Sequence, residues 1–146
     1  MSSQTDLWLL LRTAAATVSV AVEGKVNEAF GETVGDWLAG GGENRQARLS
    51  GLAAILGLAN IPSGTRYQLL HRTASAILEA QRFMAPHAVM LVHSFSQTDQ
   101  WFDDFASFVS LLGATPTKDS LIHIDSRRGP SLHVAWVRGD PVFLSR

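Results

Sequence analysis

The run VSVAVEGKV, Val18–Val26, alternates valine with small residues and then sets Glu23 and Lys25 inside the same run. Branched side chains at every second position fit a pleated strand, whose successive side chains point to opposite faces. Alternation sends Val18, Val20, Val22 and Val26 to one face, read as core. It sends Ser19, Ala21, Glu23 and Lys25 to the other, with Glu23 and Lys25 about 6–7 Å apart along the strand.

Upstream, DLWLLLR (residues 6–12) reads as a partner strand joined through TAAAT. A turn centred on Ala14–Ala15 pairs residues whose numbers sum to 29, and Asp6 then faces Glu23. A three-residue turn shifts the sum to 30 and sets Asp6 against Gly24 instead. Opposed residues share a face with Cβ atoms roughly 4.5–5.5 Å apart, so the first register gathers two carboxylates and a lysine. Carboxylates that close repel unless a proton or cation lies between them.

Two carboxylates with a backbone carbonyl form a set of hard oxygen ligands suited to Mg²⁺ or Mn²⁺. Asp6, Glu23 and the Gly24 carbonyl are the candidate metal ligands, and Lys25 the compact positive charge beside them. The plainer reading makes Glu23 and Lys25 partners on an exposed strand face and Asp6 a strand-start residue.

Further along, a short helix is expected at 32–38, ended by the glycines at 40–42, and a helix at 45–58 with Asn44 as N-cap. RYQLLHRTASAILEAQRFM carries the clearest helical period: Tyr67, Leu70, Ala74, Ile77 and Leu78 form its apolar stripe, and Pro86 ends it. HAVMLVHSF (87–95) has the length and apolarity of a central strand. DQWFDDFASFVSLLG is an amphipathic helix, and residues 121–125 and 131–139 are strands around an SRRGP turn. The order implies one α/β domain over 1–146: a mixed β-sheet flanked by helices.

Composition narrows the function classes. A net charge of −1 gives no global attraction to nucleic acid, although nearly all the positive charge is arginine. Without cysteine there is neither a disulfide framework nor a thiolate metal site. The first residues lack a signal-peptide pattern and no apolar run is long enough to span a bilayer, so a cytoplasmic chain with no membrane partner is expected. The five histidines form no HxH, HxxxH or HExxH pattern, which gives zinc little support.

An Asp at a strand start, a hairpin, and Glu23-Gly24-Lys25 in the next strand resemble the PD-(D/E)XK nuclease superfamily, with its restriction-endonuclease-like core. The following helix and strand would be 66–83 and 88–95, and Gln68 beside Tyr67 is similar to a site-facing glutamine of some branches. The phrases RYQLLHRTASAILEA and AVMLVHSFS also resemble an uncharacterised bacterial family. The resemblance implies a metal-dependent nuclease that hydrolyses phosphodiester bonds with Mg²⁺ or Mn²⁺. Asp6, Glu23, Lys25 and Gln68 would be catalytic, and Arg66, Arg72, Arg127 and Arg128 would contact nucleic acid. Thr5 stands where the motif has proline, and the superfamily's opening helix is expected to be missing, replaced by another element or upstream of Met1. A homodimer covering the sheet face left bare is the corresponding expectation. Two alternatives stay open: a catalytically inactive nuclease fold acting as a binding or regulatory module, and an assembly domain using the aromatic helix 99–112.

Overall fold

The computed structural model describes residues 7–125 and 128–140. Strands β1 (Leu7–Arg12) and β2 (Thr17–Lys25) form the expected hairpin. Its register runs from Leu7 opposite Val22 to Arg12 opposite Thr17, so every pair sums to 29. A turn with no Gly, Asn or Pro closes because Thr13 supplies the missing hydrogen bonds. Its hydroxyl accepts from the Ala15 and Ala16 amides at 3.2 and 3.0 Å. It also donates to the Ala16 carbonyl at 3.0 Å. Thr13 thus does locally what a turn residue of the Asn type usually does.

Helix α1 (Val34–Ala39) follows, capped by the Thr33 hydroxyl, which accepts from the Asp36 amide at 3.2 Å. Helix α2 spans Glu43–Leu56, earlier than the Asn44 cap would allow. Gly42, at φ 110°, is the actual N-cap, so Asn44 sits inside the first turn. Gly57 ends α2 at φ 71°, a left-handed conformation that costs glycine little. Helix α3 (Tyr67–Arg82) is the main layer against the sheet. It buries Leu69, Leu70, Thr73, Ala74, Ala76, Ile77 and Ala80, a broader stripe than its sequence period indicates. Leu78, expected within that stripe, is 47% exposed. The helix also stops before Pro86, with Met84 at φ 52° turning the chain out.

Strand β3 (His87–Ser94) is central, as its apolarity suggests. Helix α4 (Phe102–Leu111) leads to β4 (Ile122–Ile124) and β5 (Ser131–Arg138). The mixed sheet runs β1-β2-β3-β5-β4, with β3 parallel to both β2 and β5.

The two faces of this sheet differ. Ala21, Ala88, Met90, Val92, Leu132, Val134 and Trp136 share the face covered by α3 and α4, and all are buried. Trp136 is fully enclosed, with the Phe102 and Phe105 rings 5.2 and 5.6 Å away. Val18 and Val22, with Val89, Leu91 and Val137, lie on the opposite face and are only half-buried. Of the four valines read as core only Val20 is buried, so that face is core in part, with Ala135 beside it. Glu23 and Lys25 occupy the more deeply covered face, because α3 lies across that side of β2.

Candidate functional site

Glu23 and Lys25 stand at the carboxyl end of β2, where Lys25 pairs with Ser94 at the end of parallel β3. Ligands of open α/β sheets bind at such strand ends. Strand parity points both side chains toward α3, and three partners meet them there. The Lys25 ammonium lies 3.2 Å from Glu23 Oε1, and donates to Gln68 Oε1 and to the Ala29 carbonyl at 3.0 Å each. The ammonium thus makes two hydrogen bonds and one ion pair within the cluster. Arg72 Nε donates to Glu23 Oε2 at 3.1 Å. Gln68 and Arg72, four residues apart, lie one turn apart on α3, so a single helix face delivers both.

This cluster is sealed. Glu23 is 1% exposed and Lys25 3%, while Arg72 is 20% exposed. Removing a charge from water costs several kcal/mol, which close pairing of Glu23 with two cations offsets. One carboxylate against two cations also leaves these members with a net charge of +1. Two cavities adjoin Arg72. One, of about 290 Å³, is lined by Gly31, Glu32, Trp37, Gln68, His71 and Arg72 among others. The other, of about 390 Å³, lies between α3 and the β1 hairpin, where Leu7, Trp8, Ser75 and Phe83 border it. Trp37 and Tyr67 stack at 4.2 Å to form a wall of the smaller cavity.

The other candidates fall elsewhere. Asp6 and Arg127 lie outside the described residues, and Arg128 is exposed in the turn ahead of β5. Gly24 is exposed between Glu23 and Lys25. Arg66 precedes α3, where its Nε binds Asp104 at 3.0 Å and its guanidinium donates to the Gly31 carbonyl at 2.9 Å. That arginine ties α4 to the loop before α1. Arg72, expected on phosphate, is instead the second cation on Glu23. Its position one turn after Gln68 was the available signal.

The sheet also assembles a group that local motifs could not reveal. His87, His123 and His133 come from β3, β4 and β5 and meet on the half-buried face. Ring centroids lie 5.6 Å apart for His87 and His133, and 4.9 Å for His123 and His133. Burial, then the neighbouring His123 and His87, holds the His133 pKa below the ordinary histidine value. At the far end of β5, Asp119 accepts from both the backbone and the guanidinium of Arg138, which hold its carboxyl below the ordinary aspartate value. Among the described residues, no three His, Asp or Glu side chains are arranged to hold a metal, and no helix is long and apolar enough to cross a membrane.

A family model described as a domain of unknown function (DUF6946) matches residues 1–141, and the chain belongs to that family. No curated protein and no solved structure matches it.

Proposed function

We propose that the chain is a nuclease-type phosphodiester hydrolase whose site is built on Glu23, Lys25 and Gln68. The observation that carries this reading is the 3.0 Å contact between Lys25 Nζ and Gln68 Oε1, with Glu23 3.2 Å from the same ammonium. An acid-x-Lys pair on one strand and a glutamine 43 residues later meet at one point. The order hairpin, helix α3, then β3 parallel to β2 is compatible with a restriction-endonuclease-like core.

Glu23 presents carboxylate oxygens of the kind Mg²⁺ or Mn²⁺ takes, so the donor chemistry fits; Asp6 is the second proposed ligand. Arg72, the most exposed member of the trio of charges, is the group whose place on Glu23 a divalent cation would take. A bound ion of this type lowers the pKa of a water and polarises a phosphoryl oxygen. Lys25 keeps a fixed positive charge where a phosphorane-like transition state gathers negative charge. Gln68 holds that ammonium in position through its carbonyl oxygen. Arg72, displaced toward the cavities, would meet a phosphate, and a nucleic acid strand is the substrate this charge balance suits.

A second reading has its own observation. Glu23 is 1% exposed and already paired with two cations, which suits a nuclease fold kept as a binding or regulatory module. Calorimetric titration with Mn²⁺ separates the two. The hydrolase reading expects stoichiometric binding that Glu23→Gln weakens at least about tenfold, because the second-charge ligand is lost. A wild-type protein that takes up no Mn²⁺ or Mg²⁺ supports the binding module and ends the hydrolase reading.

A further inference from the structure

Among the described residues, a run of exposed apolar side chains lies along β1, which is an edge strand of the sheet. Its sequence from Leu7 to Leu11 is LWLLL, with no charge, proline or glycine. Leu7, Trp8, Leu10 and Leu11 are 52, 38, 41 and 47% exposed. Edge strands of monomers are ordinarily blunted by charge, proline or a bulge, since their free N–H and C=O groups template another strand. The hairpin register here is unbroken through all six pairs, so no bulge interrupts it.

The exposure is on both sides of the strand. Leu7 and Leu11 share the half-buried sheet face with Val22 and Val18, their partners in the hairpin. Trp8 and Leu10 lie on the helix side, where Trp8 donates from Nε1 to Ser19 Oγ at 3.0 Å and Ser19 Oγ donates to the Ala76 carbonyl of α3. The Trp8 ring stacks on Phe83 at 5.2 Å. Phe83 is 42% exposed and the next residue, Met84, 90%. The apolar strip therefore continues from the sheet edge to the end of α3, across two layers. A lone peptide strand would cover only one of them.

We propose that β1 is a self-association surface: a second copy of this chain pairs its own β1 antiparallel to it and extends the sheet across a two-fold axis. With that axis normal to the sheet, opposed residues share a face. A pair centred on Leu9 sets Leu7 against Leu11, Trp8 against Leu10, and Leu9 against its own copy. Each pairing is apolar on apolar, and each copy also brings an α3 end to cover the other layer. From the exposures above, roughly 500 Å² per copy is covered, about 1,000 Å² in all, which places the dimer among weak, reversible assemblies. The pairing uses neither Glu23 nor Lys25, although Leu7, Trp8 and Phe83 also line the larger cavity beside Arg72, and it holds whether or not that cluster is catalytic.

Sedimentation velocity on the full chain over a concentration series tests this. The expected result is a reversible shift from the mass of one 15.8 kDa chain toward twice that mass. Leu10→Lys and Leu11→Lys, at exposed positions on opposite faces, abolish the shift while retaining the wild-type circular dichroism. Leu121→Lys, 60% exposed outside β1, leaves it unchanged. A wild-type chain that stays monomeric at about 100 μM, or a dimer that survives both β1 substitutions, overturns the proposal. Should the lysine variants lose the fold, amide exchange of the wild-type protein decides. Protection of β1 that rises with concentration supports the pairing, and protection independent of concentration overturns it.

Discussion

On one side of the sheet, Met90, Val92, Val134 and Trp136 are shut beneath α3 and α4, and Glu23 and Lys25 are shut in with them. On the other side, Val18, Val22, Leu91 and Val137 are only half-buried, and three histidines sit among them. The face richer in valine is the less covered one, while the face carrying charge is sealed. The difference teaches that a strand's charged face can be its interior when a helix supplies every partner. Here α3 brings Gln68 to Lys25 and Arg72 to Glu23.

Substitutions on matched positions would break this contrast if it is wrong. Trp136→Ala should cost about 4 kcal/mol in denaturant unfolding, because a filled site under α4 is emptied. Leu91→Ala, on the half-covered face, should cost about 1 kcal/mol, since less buried area is lost. Equal losses at the two positions would mean that the faces are packed alike. Glu23→Ala should cost about 3 kcal/mol, because Lys25 and Arg72 are left facing each other with no carboxylate between them. A loss near zero in the same unfolding measurement would place that cluster in water.

The histidine row sharpens the comparison through pH. The folded state holds the His133 pKa below its ordinary value of 6.5, so the unfolded chain binds the proton more readily. Stability is then full above that value and falls as the pH drops below it. His87 on β3, with His123 on β4 and the Asp125 carboxylate 3.2 Å from His123 Nε2, are the titratable neighbours involved. Melting temperature should fall between about pH 7.5 and pH 5.5, and His133→Gln should lessen the fall. A variant with the wild-type pH profile would remove His133 from that role. The smallest effect is expected at the hairpin, where Thr13→Ala should cost about 0.5–1 kcal/mol by chemical denaturation for its lost turn hydrogen bonds. No measurable change would make the register independent of Thr13.

Local chemistry made much of the fold legible. Alternation located β2, helical period located α3, and a turn centred on Ala14–Ala15 gave the hairpin register that Leu7 and Val22 adopt. What sequence could not decide was which face of β2 the helices would cover, because both faces held small or apolar residues beside the two charges. Gln68, singled out beside Tyr67 by resemblance, does reach Lys25. Arg72 was read as a phosphate contact, since nothing local tells an arginine facing solvent from one facing a buried carboxylate. The histidine row depends on register between strands that are distant in sequence, which no spacing motif encodes.

The most direct measurement is the rate at which purified protein cleaves single- and double-stranded DNA and RNA with Mn²⁺, compared between the wild type and Lys25→Met. The methionine keeps the buried volume and removes the ammonium. We expect Mn²⁺-dependent cleavage by the wild type, reduced at least about 10²-fold in the variant with its circular dichroism unchanged. Cleavage at equal rates by the two proteins, or none by the wild type with any of these substrates, would contradict the account.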